Sequence, residues 1–404
     1  MSEIILITVS GQDKPGLTSS IMGMLAEYDV LVLDIGQAMV QETLSLAILA
    51  KLPDQEKTAP VLKDVLFHVH QLDMKVRFTP IDEADYEAWV QGEEQPRYVV
   101  TLVGRSLTAT HISRITRVIT DNDLNIEDIV RLSGRAPLHD GGEHNRSCLE
   151  LTLRGQPIDL DAMKKSFLDI AQELGIDISF QEENLFRRNR RLVVFDMDST
   201  LIQQEVIDEM AKAAGAGEEV SRITEAAMRG ELDFSESLQR RVAALEGLDA
   251  SVLDRIAGEL TLTEGAERLL RTLKLLGYKT AVLSGGFTYF GRYVQQKLDL
   301  DYVFANELEI LDGRVTGRLV GEIVDGQKKA ELLRRIAEEE QITLDQVIAV
   351  GDGANDLPML REAGLGIAFH AKPVVQQSAR QAISTVGLDG ILYLMGLKDT
   401  ETPH

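Results

Sequence analysis

A chain of 404 residues has room for about two to four domains and ample buried core. Its hydrophobic fraction of 44% and charged fraction of 26% are those of ordinary globular protein. The formal net charge of -23 argues against nucleic acid and against an anionic membrane surface as general partners, so an anionic substrate must be drawn by a local basic site or a metal. Cys148 is the only cysteine, which excludes a disulfide framework and a thiolate metal cluster. Residues 1–10 lack the basic flank and apolar core of a signal peptide, and no run approaches the ~18 apolar residues of a membrane span. A cytoplasmic enzyme fits this composition.

The first part of the chain repeats one pattern. Residues 4–9 predict a strand, 11–16 a turn, 17–28 an amphipathic helix, 30–40 and 44–52 two strands joined by a polar turn, 59–71 a helix and 74–78 a closing strand. The order is βαββαβ. The second copy has strands at 98–103, 126–132, 148–153 and 176–180, and helices at 111–122 and 158–174. Gly11 falls opposite Gly104, and Asp34-Ile35 opposite Asp128-Ile129, with a one-residue slip. Residues 80–96, acidic and without clear periodicity, predict a linker, and 135–146 a long polar hairpin loop. The charged run at 181–191, with Arg187, Arg188, Arg190 and Arg191, predicts a solvated junction rather than a phosphate contact.

Beyond that junction, strands alternate with helices, the signature of a parallel sheet. The apolar run Leu192 to Phe195 reads as a buried strand, with Asp196 and Asp198 leaving its C-terminal end, where open α/β sheets build their sites. An ionised carboxylate attacks phosphorus without a base to activate it, and a second acid two residues on serves the leaving oxygen, provided a cation offsets the crowding. The plainer alternative is a strand followed by an Asx turn. Between Leu201 and Gly277 no strand is predicted, only helices at 207–214, 220–229, 234–245 and 251–259, an insert about the size of a lid. Strands resume at 279–283, 302–305 and 347–350.

Three further segments carry chemistry. Ser284-Gly285-Gly286 ends a strand with a hydroxyl and exposed N–H groups, which suits a phosphoryl oxygen, although such a tripeptide also makes an ordinary turn. Lys328 and Lys329 begin a helix, and either ammonium offsets charge on a transferring group; the residues leave the choice open. Gly351-Asp352-Gly353-Ala354-Asn355-Asp356 follows an apolar strand and supplies hard oxygen ligands of the kind Mg²⁺ prefers, while the spacing of a calcium EF-hand is missing.

Together, Asp196-Met197-Asp198-Ser199-Thr200, Ser284-Gly285-Gly286, Lys329 and the Gly351 to Asp356 loop resemble the four motifs of the haloacid dehalogenase superfamily of phosphatases. The region from about Arg191 to Met395 resembles its phosphoserine phosphatase branch, and the two leading repeats resemble ACT domains. The resemblance implies an α/β fold, a Rossmann-like parallel sheet with a helical cap after its first strand, preceded by two ferredoxin-like βαββαβ domains. The implied boundaries are 1–84 and 94–184 for the ACT-like domains and 185–404 for the phosphatase, with the cap at about 204–270.

The implied activity is Mg²⁺-dependent hydrolysis of O-phospho-L-serine, the last step of serine biosynthesis, with Asp196 as nucleophile and Asp198 as proton donor and acceptor. Mg²⁺ is expected on the side chains of Asp196 and Asp352 and the carbonyl of Asp198, with Asp356 in its surrounding shell. Ser284, Gly285 and Lys329 are expected to hold the phosphoryl group, Asn355 to order the site, and Glu205, Phe234 and Arg241 of the insert to read the substrate. Asp13 and Gly16 mark a ligand loop in the first repeat, for an amino-acid effector; a homodimer, no nucleic acid and no membrane complete the expectation. Two alternatives stay open: another small phosphomonoester as substrate, or an amino-acid sensor whose phosphatase half is vestigial.

Overall fold

The computed structural model describes residues 3–53, 55–135 and 146–403, and falls into two units, Met1–Gln95 and Pro96–His404. In the first, β1 (Ile4–Gln12), α1 (Leu17–Ala26), β2 (Leu31–Val40), β3 (Thr43–Lys51), α2 (Gln55–Gln71) and β4 (Lys75–Ile81) follow the expected order. They form an antiparallel sheet, β2-β3-β1-β4. Alternation along β1 and β3 turns Ile5, Ile7, Val9, Leu44, Leu46 and Ile48 onto Ile21, Leu25, Val61 and Val65 of the helices. The expected linker is in part regular: β4 runs to Ile81, and Glu83–Gln91 forms α3. That helix buries no residue, which is why its sequence shows no apolar period.

The second unit starts with the same module: β5 (Arg97–Gly104), α4 (Ala109–Asp121), β6 (Asn125–Arg131), β7 (Ser147–Arg154), α5 (Leu160–Leu174) and β8 (Asp177–Glu182), with sheet order β6-β7-β5-β8. The repeat holds in detail. The edge-strand register shifts at Val32/Asp34 in one copy and Ile126/Asp128 in the other. Most of the expected hairpin loop, 136–145, lies outside the described residues.

The arginine run departs from the expected solvated junction. Arg187 is 1% exposed, paired with Glu150 and with Glu183 at 3.0 Å. Arg190, 5% exposed, donates to the Arg187 carbonyl at 2.8 Å and to Gln181 Oε1 at 3.1 Å. Only Arg188 and Arg191 are exposed. Buried guanidinium groups of this kind persist because their terminal Nη donors are taken up by carboxylate, carbonyl and amide oxygens, although the Nε of each is buried without a partner.

The phosphatase-like part begins at β9 (Leu192–Phe195). After it come the insert helices α6 (Val206–Ala214), α7 (Gly217–Met228), α8 (Phe234–Ala243) and α9 (Ser251–Glu259), then α10 (Ala266–Leu275). The chain continues through β10 (Lys279–Phe287), α11 (Thr288–Leu298), β11 (Tyr302–Leu311), β12 (Arg314–Val320), α12 (Gly326–Glu339), β13 (Val347–Gly351), α13 (Leu357–Glu362), β14 (Leu365–Phe369) and β15 (Gln381–Ile383). The sheet order is β12-β11-β10-β9-β13-β14-β15, parallel except for the β11–β12 hairpin. Both faces are covered. Val193, Phe195, Ile348 and Val350 point to one core with Leu269, Leu273 and Phe290, and Leu192, Val194, Val347 and Ala349 to another with Leu333, Ile336 and Met359. Among the described residues no helix is long and apolar enough to cross a membrane.

Candidate active site

Strand register brings the motifs together. Phe195 of β9 lies opposite Val282 of β10 and Val350 of β13, so Asp196 and Asp352 leave their strands at nearly the level of Ser284. The turn expected at 284–286 is instead part of β10, which runs on to Phe287 with a register shift after Leu283. The Asp196 N–H donates to the Val350 carbonyl at 2.9 Å, and its Oδ1 accepts from the Met197 N–H at 2.8 Å. Ser199 then takes a left-handed φ of 55°, turning the chain so that Asp198 Oδ1 accepts from the Val206 N–H at 3.1 Å.

The two neighbouring lysines face opposite ways. The Asp325 side chain caps α12 through the Lys328 N–H at 2.8 Å, which sets the helix phase and turns Lys329 inward. Its Nζ lies 2.8 Å from Asp196 Oδ1 and 2.7 Å from Asp356 Oδ1, fully buried. Lys328 points out, onto Glu322 and Glu331.

Asp196, Asp352 and Asp356 each offer an oxygen within 4.8 Å of the others. Burial, reinforced by Asp356, pushes the Asp196 carboxyl well above the usual range, with Lys329 pulling the other way. Burial pushes Asp352 up to about 7, helped by Asp356 and Glu205, and Asp198 to about 7, helped by Glu205. Burial works against the Lys329 charge, but Asp196 and Asp356 outweigh it and raise its value. Three hard carboxylates facing one lysine leave excess negative charge, and that donor set fits a divalent cation. Asp356 thus joins the side-chain triad directly, while Asp198 contributes no side-chain oxygen to it.

The remaining predicted residues surround this cluster. Ser284 is buried and accepts from the Gly286 N–H at 2.8 Å. A Cβ on Gly285 would lie 2.8 Å from Phe234 Cζ, so the insert is seated over the Ser284–Gly286 segment. Asp233 caps α8 by accepting from the Glu236 N–H at 2.7 Å, placing Phe234 in its first turn and Arg241 two turns on. The Arg241 Nε is buried without a hydrogen-bond partner, and burial lowers its value against the pull of Glu205, Asp208 and Asp198. Glu205 is exposed and accepts from Ser199 Oγ at 2.7 Å. Asn355 is half-buried beside Gly353, where an added Cβ would meet its Oδ1 at 2.2 Å. Asp13 and Gly16 belong to the first unit; Gly16, at φ 86°, precedes α1, and nothing lies within 4 Å of a Cβ built there.

Sequence reasoning missed several supporting groups. Thr200, buried, donates to Asp352 Oδ1 at 3.3 Å. Gly351 leaves room for Asp356, whose carboxyl would lie 2.5 Å from a Cβ there. Asn306 donates to the carbonyls of Gly285 at 2.8 Å and Gly286 at 3.3 Å and accepts from the Val324 N–H at 2.8 Å. The signal for Asn306 was present: an amide at the end of the apolar run Tyr302 to Ala305.

Residues 193–361 match the model of the haloacid dehalogenase-like hydrolases, and residues 3–79 and 97–181 match models of the ACT domain. A phosphoserine phosphatase of Streptomyces coelicolor is 42% identical over 401 residues, covering 98% of this chain and 93% of the relative. One from Mycobacterium tuberculosis is 39% identical, covering 97% and 93%. The crystal structure of a haloacid dehalogenase family hydrolase from Salmonella enterica serovar Typhi superposes with a TM-score of 0.64 at 30% identity, over 74% of this chain and 98% of that one. By that extent of similarity, the chain belongs to the phosphoserine phosphatase family of haloacid dehalogenase-like hydrolases, with two ACT domains preceding the hydrolase domain.

Proposed function

We propose that this chain is a phosphoserine phosphatase: it hydrolyses O-phospho-L-serine to L-serine and phosphate through an aspartyl-phosphate on Asp196, the last step of serine formation. The observation that carries this reading is the convergence of Asp196, Lys329, Asp352 and Asp356 at adjacent strand ends, in a chain similar over nearly its whole length to named phosphoserine phosphatases. The divalent metal would be Mg²⁺, which the side chains of Asp196 and Asp352 and the Asp198 carbonyl would hold, with Asp356, the third carboxylate of the triad, ordering its surroundings. When bound it neutralises phosphoryl charge and lets an anionic nucleophile approach.

Asp196 attacks phosphorus as the bond to the serine oxygen breaks, and Asp198 gives that oxygen its proton. A water then attacks the same phosphorus, Asp198 takes its proton, and the acyl–phosphorus bond breaks to regenerate Asp196. A carboxyl pushed to about 7 suits both halves, because it is neither a strong acid nor permanently protonated. Ser284, the Gly285 N–H and Lys329 hold the phosphoryl oxygens. Arg241, with its buried unpartnered Nε, takes the substrate carboxylate, Glu205 takes the ammonium, Phe234 closes over both, and Asn355 steadies the loop.

The same reading divides the chain at 1–84, 94–184 and 185–404, with the cap at about 204–270, and gives the protein a cytoplasmic setting. Pairing into a homodimer is supported by edge strand β2, which exposes Leu31, Ile35, Met39 and Val40. An amino-acid effector at Asp13 and Gly16 is supported by the open, left-handed Gly16.

The test is phosphate release from phosphoserine and other phosphomonoesters, with and without Mg²⁺. Asp196→Asn is expected to be inactive, and rapid quenching during turnover to recover phosphate on Asp196. Full speed in Asp196→Asn refutes the mechanism. In Arg241→Ala, loss confined to carboxylate-bearing substrates supports phosphoserine; an equal loss on p-nitrophenyl phosphate favours a different phosphomonoester.

A further inference from the structure

The cap leaves and re-enters the core through two short segments, 202–205 and 260–265, lying antiparallel. Ile202 bridges Leu262, the Gln203 N–H donates to the Thr261 carbonyl and the Thr263 N–H to the Leu201 carbonyl, both at 3.0 Å. Gln204 Oε1 accepts from the Thr261 N–H at 3.0 Å. Any opening of the cap is absorbed by these few residues. One segment delivers Glu205 to the site; the other carries Glu264, just before α10.

The second ACT domain reaches this hinge. β5 and β7 pair with Gly104 opposite Ser147, so Arg105 and Arg146 leave the same end of that sheet as neighbours. Arg105 forks onto Glu264, with Nη1 at 3.1 Å from Oε1 and Nη2 at 2.7 Å from Oε2. Arg146 pairs with Asp389, a buried carboxylate that Arg268 also holds at 3.0 Å. Asp389 Oδ1 stands 2.1 Å from where a Cβ on Gly265 would lie, so the residue after Glu264 has to be glycine. The Glu264 carbonyl accepts from the Leu388 N–H at 2.7 Å. The backbone of Glu264 is therefore tied to the core, and its side chain to the ACT domain. The two arginine contacts differ in kind: Arg146 and Asp389 are 16% and 0% exposed, a fixed anchor, whereas Arg105 and Glu264 are 41% and 37% exposed, a contact that opens at little cost.

We propose that Arg105 is a positioning residue for the phosphatase reaction: its bidentate grip on Glu264 lets the second ACT domain hold the cap hinge in the seated arrangement. That arrangement is the one in which Phe234 packs against Gly285. Arg105 touches no reacting atom; it acts through the hinge and so biases substrate capture rather than chemistry. The kinetic consequence rests on the phosphoserine reading above, while the mechanical consequence does not.

The experiment uses the full chain with Mg²⁺, in Arg105→Ala, Glu264→Ala, the double variant, and the exchanged pair Arg105→Glu with Glu264→Arg. KM and kcat are measured for phosphoserine, and backbone amide exchange is followed without substrate. An exposed bidentate pair is worth little, so the expected rise in KM is about two- to five-fold with kcat nearly unchanged. Exchange at 202–205 and 260–265 is expected to quicken while β9 and β13 stay protected. Both single variants are expected to match each other and the double, and the exchanged pair to recover the parent values. Unchanged hinge exchange in Arg105→Ala overturns the proposal, as do additive single effects. A fall in kcat and Tm together, with hinge exchange unaltered, assigns Arg105 to plain domain adhesion and also overturns it. If phosphoserine is not the substrate, KM has no meaning here but the exchange result still decides.

Discussion

Two adjacent glycines separate the proposed acid from the proposed lid. At Gly286 an added Cβ would fall 2.4 Å from Asp198 Oδ2, and 3.1 Å from both Met197 Cε and Ser284 Oγ. Ordinary contact needs the carboxyl to retreat by about 1 Å. Misplacing a reacting group by that much costs about 10²-fold, so Gly286→Ala is expected to lose about two decades in kcat/KM for phosphoserine. Overpacking costs about 1–3 kcal/mol, which leaves the chain folded. At Gly285 the obstacle is instead the tip of the Phe234 ring, 2.8 Å away on the movable insert. Gly285→Ala therefore raises KM and largely spares kcat.

The leaving group provides a control. p-Nitrophenolate departs without a proton, and kcat/KM reports only steps up to its departure, so Gly286→Ala is expected to lose much less on p-nitrophenyl phosphate than on phosphoserine. The assay is phosphate or nitrophenolate release under initial-rate conditions, with thermal melts confirming the fold. If Gly286→Ala stays within about threefold of the parent on phosphoserine, or is equally impaired on both substrates, the assignment of Asp198 as the acid is refuted.

Asp352 has to lose its proton to hold a cation, so metal affinity is expected to climb as pH rises through about 7 and then level off, with proton release detected by calorimetry in two buffers; pH-independent affinity refutes this. A carboxyl raised in the folded state favours folding while protonated, so the metal-free protein loses stability as pH rises from about 4 to about 7, and Mg²⁺ is expected to raise Tm more at about pH 8 than at about pH 5.5. Lys329→Met leaves Asp196 and Asp356 without their cation and is expected to cost about 3–5 kcal/mol in stability and about 10²–10³ in kcat, whereas Lys328→Ala, which breaks only contacts to Glu322 and Glu331, is expected to be silent in both. Asn306→Ala strips a clamp from the Gly285 and Gly286 carbonyls and orphans the Val324 N–H, at about 1–3 kcal/mol, read as a lower Tm together with a raised KM.

What the sequence made legible follows the range of the forces involved. The strand-end motifs read well because each is a few apolar residues followed by a turn, and the parallel register then carries them to one place. The order of both βαββαβ modules read well for the same reason, as alternation and helical period are local. Lys328 and Lys329 stayed undecided because both lie in one helical turn, and only the Asp325 cap sets which faces inward. Asp312-Gly313 is a strong local hairpin signal and closes the β11–β12 pair, which extends the strand well beyond the apolar run that ends at Ala305. The burial of Arg187 and Arg190 is not legible in the sequence, because a charge run looks solvated until its partners are known, and Glu150 lies on another strand. Arg105 and Glu264 are separated by 159 residues, and no periodicity links them. Polar pairs of this kind follow from how domains dock, not from how segments fold. The chemistry of this protein is therefore written in short motifs, while the contact between its second ACT domain and the segment re-entering the core from the cap is visible only in three dimensions.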